Sequence, residues 1–125
     1  MIQGGRSKKY LSCVKNNKHI SMLNPATVTE LAKLLSFLGN EQRLNILRAI
    51  AHEEKFAREI SEEVGISRPL VNIYLKQFEK AGLVIGTNRV GEEPPYLKRY
   101  YKAVPFEFAL SLDLISKLEM NEDEF

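Results

Sequence analysis

Residues 57–84 read AREISEEVGISRPLVNIYLKQFEKAGLV, and the punctuation within them decides the fold. Ala57, Ile60 and Val64 recur at spacings of three and four, the period of one helical face. Gly65 closes that short helix, because a residue without a Cβ most readily takes the left-handed conformation of a helix end. Ser67 then offers a side-chain oxygen that caps a new helix. Pro69 falls in the first turn of that helix, where a missing N–H costs nothing. Val71, Tyr74, Leu75 and Phe78 give it an inner face, and Gly82 stops it. A helix, a tight turn and a second helix form a helix-turn-helix.

Outward from this unit the pattern continues in both directions. From Thr27, the residues Val28, Leu31, Leu34, Leu35 and Leu38 keep helical spacing up to Gly39. Asn40 is a good cap for a further helix, with Glu41 in the first turn where the helix dipole favours a carboxylate. That helix is expected to bury Leu44, Leu47, Ile50 and Ala51. After Gly82 the period changes to two. LVIGTN (83–88) and YLKRYYKAV (96–104) are rich in β-branched and aromatic residues and read as antiparallel strands. RVGEEPP (89–95) lies between them, and Gly91 with Pro94-Pro95 makes it a loop. PFEFALSLDLISKLEM (105–120) fits a strand to Leu112 followed by a short helix capped by Asp113, or one continuous helix, which is favoured. Residues 1–24 fit a hairpin turning at Asn16-Asn17 or a frayed tail.

Charge is distributed unevenly although the net value is only +2. Residues 1–26 carry +5 with no acid, 66–104 carry +4, and the tail 119–125 carries −4. A polyanion would prefer 66–104, and after it the N-terminal arm. No apolar run approaches the roughly 18–20 residues of a membrane span, and the N-terminus has no signal-peptide core. The one cysteine, Cys13, excludes an internal disulfide, so the cytoplasm is the expected location.

LLSFLGNEQRLNILRAI (34–50), the stretch 57–84, the two strands and Tyr100-Tyr101 together resemble the ArsR-type winged-helix transcriptional regulators, specifically their metal-free archaeal relatives. The resemblance covers about residues 28–104. It implies a dimer that binds double-stranded DNA, with the helix at 67–81 in the major groove. Val71, Leu75 and Phe78 match the family's buried positions. Ser67, Arg68, Pro69, Asn72, Ile73 and Lys76 then fall on the outward side. Arg68 can pair with guanine or phosphate, Asn72 can read adenine, and Ile73 can touch a thymine methyl. Lys76 suits phosphate as a flexible point charge. Arg89, Lys98 and Arg99 belong to the wing, where cations meet the DNA backbone.

Departures from the family pattern bear on metals. Metal-sensing members carry paired cysteines in the third helix or His and Asp in the last, whereas FAREISEEVG (56–65) has neither Cys nor His. Cys13, His19 and His52 lack ligand spacing, so no cofactor is expected. GGRSKK (4–9) lacks the spacing of a phosphate loop, and no nucleophile elbow or acid–base cluster is present, which argues against an enzyme. The expectation is a mainly α winged helix-turn-helix with a small antiparallel β-hairpin. A basic arm (1–26) precedes the DNA-binding domain (27–104), and a dimerising C-terminal segment with an acidic tail (105–125) follows. A winged-helix module that binds protein instead of DNA is the alternative, and the sequence specifies no effector.

Overall fold

In a computed structural model the described residues are 24–120. The arm with its hairpin-or-tail alternatives, Cys13, His19 and the last residues of the acidic tail lie outside them. Asn40–Pro105 forms one compact unit, and the flanking segments form another.

The flanking unit contains α1 (Val28–Leu38), with Leu31 and Leu34 buried. Thr27 caps α1 by accepting from the Glu30 N–H at 3.1 Å. Towards the other end, Ser111 caps a six-residue helix at Leu112–Lys117 by accepting from the Leu114 N–H at 3.1 Å. The two ends meet in a parallel bridge, in which the Val28 N–H donates to the Glu119 carbonyl at 2.9 Å. The expected continuous C-terminal helix is corrected here. Residues 104–111 form neither helix nor strand, and the helix starts only where Ser111 supplies a cap.

Asn40–Pro105 contains α2 (Glu41–Ala49), β1 (Lys55–Phe56), α3 (Ala57–Val64), α4 (Arg68–Ala81), β2 (Val84–Val90) and β3 (Leu97–Ala103). The Leu112–Lys117 helix is α5. Capping sets the boundaries. Asn40 accepts from the Arg43 N–H at 3.0 Å, and Ser67 accepts from the Leu70 N–H at 3.4 Å. Gly65 and Gly82 take φ values of 72° and 82°, the left-handed region that ends α3 and α4. The turn between α3 and α4 is closed by the N–H groups of Gly65 and Ile66, which both donate to the Ser61 carbonyl, while the Ser61 hydroxyl donates to the Ile66 carbonyl.

Ile46, Ile50, Ile60, Val71, Leu75, Phe78 and Leu83 are fully enclosed and form the core of this unit. The inner face of α2 differs from the expectation. Leu44 is 49% exposed and Ala51 is exposed, while Ile46 and Ala49 are buried beside the expected Leu47 and Ile50. Tyr74 is half-buried and donates its hydroxyl to Gln42 at 2.9 Å. The sheet order is β1-β3-β2, all antiparallel, so β3 is central and a third strand joins the expected hairpin. β2 runs to Val90, two residues past its expected end. Ala103 N–H donates to the Ile50 carbonyl and Val104 N–H to the Leu83 carbonyl, both at 2.9 Å, which fastens the base of the hairpin to the helices. The fold of this unit is a winged helix-turn-helix.

Candidate nucleic-acid interface

The sequence places cations on α4 and the structure leaves its outer face open. Ser67, Arg68, Pro69, Asn72, Ile73 and Lys76 are all exposed, and Ile73 is 51% exposed. They form one surface, because 68, 72 and 76 follow one another at four-residue spacing, with 69 and 73 alongside. Lys80 continues the row, and sequence reading did not count it. The first turn of α4 has no acid. Glu79, the one carboxylate in the helix, is tied to Arg99 by an ion pair of 2.7 Å. The open face therefore presents Arg68, Lys76 and Lys80 with no competing negative charge.

α2 holds α4 in place from behind. The Arg43 guanidinium donates to Gln77 Oε1 at 2.8 Å and lies 5.1 Å from the centre of the Tyr74 ring. Reading the sequence missed this brace, since its partners lie 31 and 34 positions apart.

The register divides the wing cations between two faces. Arg89 and Lys98 are cross-strand partners, and Lys102 pairs with Ile85 on the same face. Arg99 pairs with Asn88 on the opposite face. Arg89 bonds Glu54 at 2.7 Å and lies 5.7 Å from the Tyr100 ring centre. Lys98 places its ammonium 4.4 Å from the Phe56 ring centre, and Phe56 meets Tyr100 edge-on at 5.5 Å. β1 thus contributes the aromatic ring under Lys98 and β3 the one under Arg89, and the two residues of β1 gave no strand signal of their own. Arg99 bonds Glu79 at 2.7 Å and Asn88 at 3.2 Å. The Glu79 hydrogen bond raises the guanidinium pKa above its ordinary value, while burial raises the Tyr101 phenol.

The wing tip has a different character. Gly91 N–H donates to the Tyr96 carbonyl at 2.6 Å and closes a loop whose only charges are Glu92 and Glu93. Val90, Tyr96 and Leu97 around it are 81%, 58% and 61% exposed. A hollow of about 440 Å³ at the base of this loop is lined by Arg89, Lys98, Glu92 and Glu93 among others, so its charged lining balances. Negative charge therefore gathers at the tip, and positive charge lies nearer the base at Lys98 and at Arg89, the latter paired with Glu54. Among the described residues no group of three or more His, Cys, Asp or Glu could hold a metal ion. No helix among them is long and apolar enough to cross a membrane.

Residues 40–85 match the family described as bacterial regulatory protein, arsR family. An uncharacterized HTH-type transcriptional regulator of the archaeon Methanocaldococcus jannaschii is 33% identical over 93 residues, covering 74% of this chain and 96% of that protein. Solved structures that resemble the chain include the homodimeric winged helix-turn-helix DNA-binding domain of a possible ArsR-family regulator from Mycobacterium bovis. It is 19% identical, with a TM-score of 0.47, and the match covers 70% of this chain and 66% of that one. Reduced HlyU from Vibrio cholerae is 23% identical with a TM-score of 0.47, over 66% and 75% of the two chains. The chain belongs to the ArsR family of helix-turn-helix transcriptional regulators. It is a regulator with a winged-helix DNA-binding domain, not an enzyme.

Proposed function

We propose that the chain is a homodimeric, cytoplasmic regulator that reads a specific DNA sequence through α4 and grips the adjacent backbone with the base of its wing. One observation carries this reading: the open, acid-free face of α4, with Arg68 and Asn72 near the helix start. One α-helix fits the B-DNA major groove, and its first turns come nearest the base edges. Arg68 suits guanine, Asn72 adenine and Ile73 a thymine methyl, while Lys76 suits phosphate. Ser67 and Pro69 form the helix start that presents them. Arg89 and Lys98 are the phosphate contacts of the wing.

Pairing of subunits is supported by apolar surface in the flanking unit. Val28 and Leu35 on α1 are 44% and 40% exposed, and Leu110, Leu112 and Ile115 are 48%, 80% and 41% exposed. A second copy of the same surface would cover them. The apolar, acidic wing tip favours a second reading, a module that docks on protein. Selection of genomic fragments by the purified protein separates the two. Recovery of one shared sequence supports DNA readout, and recovery of no sequence preference supports the protein-docking reading.

A further inference from the structure

We propose that Arg99 is a positioning residue that locks the wing to the recognition helix, and not a DNA contact; its consequence for DNA binding rests on the reading above. Three elements converge on its guanidinium. Glu79 comes from the last turns of α4, Asn88 and Gly86 from β2, and Tyr101 from β3 itself. Nη2 bonds Glu79 Oε2 at 2.7 Å and Nη1 bonds Asn88 Oδ1 at 3.2 Å, with the Tyr101 ring centre 5.8 Å away. A Cβ at position 86 would lie 2.6 Å from Arg99 Nε and 2.7 Å from Nη2, so the guanidinium occupies the space that Gly86 leaves.

Geometry sets Arg99 apart from every other wing cation, and charge sets it apart from Lys98 and Lys102, since Arg89 is itself paired with Glu54. It stands on the sheet face shared with buried Val84, turned towards α4, whereas Arg89, Lys98 and Lys102 stand on the other face. Its charge is already matched by Glu79, so the pair is neutral and adds no counterion release on DNA. Swinging Arg99 out to a phosphate would strand the Glu79 carboxylate, which is only 27% exposed.

The lock has work to do because of where the wing is unsupported. A two-stranded hairpin is marginal alone, and most of 85–97 is exposed. The Glu79–Arg99–Asn88 bridge grips it at mid-length, between the fastened base and the tip. The angle of the wing to α4 decides whether Arg89 and Lys98 reach phosphates while Asn72 reaches a base.

The test uses the full chain and four variants: Glu79→Gln, Arg99→Gln, Gly86→Ala, and the swap Glu79→Arg with Arg99→Glu. The first arm needs no DNA and measures ¹⁵N order parameters across residues 86–99. Rigid values near 0.85 should fall towards about 0.6 in each single variant and recover in the swap. The second arm measures binding to a selected duplex. Glu79→Gln removes no cation, yet it should weaken binding about 3- to 10-fold with an unchanged salt slope. Unchanged wing order in Glu79→Gln, with a salt slope about one unit lower per protomer in Arg99→Gln, would overturn the proposal and return Arg99 to the phosphate contacts. A wild-type chain with no preference among duplexes would refute the DNA reading, while the wing-order arm would still decide the lock.

Discussion

Lys98 and Arg99 are neighbours on β3 and face opposite ways, because successive side chains of a strand alternate. Lys98 is half-buried with its ammonium on the Phe56 ring, while Arg99 is committed to Glu79. Tyr101, two positions on, shares the Arg99 face and carries a pH consequence. Burial raises its phenol above the ordinary value of 10.0, with the Glu79 charge acting in the same direction. The unfolded chain therefore ionises this group first. Its contribution to stability is complete below pH 10.0 and is lost as pH rises through the folded value. In urea titrations the stability gap between the wild type and Tyr101→Phe should be constant at neutral pH and shift against the wild type above pH 10.0. A gap that does not move, or that shifts in favour of the wild type, would contradict this assignment.

At the scale of elements, the turn between α3 and α4 sets the recognition helix at its angle. Gly65 has φ of 72° with nothing within 4 Å of where a Cβ would stand, so Gly65→Ala meets backbone strain alone. Thermal or urea unfolding should show a cost of about 1–2 kcal/mol, with the fold kept. Ile46→Ala, in the enclosed core, should cost about 2–5 kcal/mol, and Leu44→Ala far less. That last contrast marks a limit of the sequence. Helix ends were legible because Asn40, Ser67, Gly65 and Gly82 are local signals with local causes. The buried face of α2 was not, since Leu44, Ile46 and Leu47 are crowded into four positions and periodicity alone cannot choose among them. β1 escaped notice because two residues, Lys55 and Phe56, become a strand only when β3 lies beside them. The open face of α4 was readable from spacing. The partners of Arg99 and Arg89 were not, since Glu79 and Glu54 are brought to them by the fold.

For the whole molecule, the proposed DNA readout requires two copies. Sedimentation at micromolar concentration should give a species of twice the 14.3 kDa chain mass, and Leu35→Glu or Leu112→Glu should shift it to the monomer. A single 14.3 kDa species in the wild type would remove the dimer. Binding to an operator should be unaffected by zinc or by chelation, and its half-sites should be centred about 34 Å apart, one turn of DNA. The central claim is that α4 reads sequence while the wing base supplies affinity. Comparing Asn72→Ala with Lys98→Ala on the operator, its single-base variants and random duplex at several salt concentrations tests it most directly. Asn72→Ala should lose about 1–3 kcal/mol on the operator and relax the preference at one base pair per half-site. Lys98→Ala should weaken every duplex alike and lower the salt slope by about one unit per protomer. Equal losses for Asn72→Ala on operator and random DNA would show that α4 does not read the sequence.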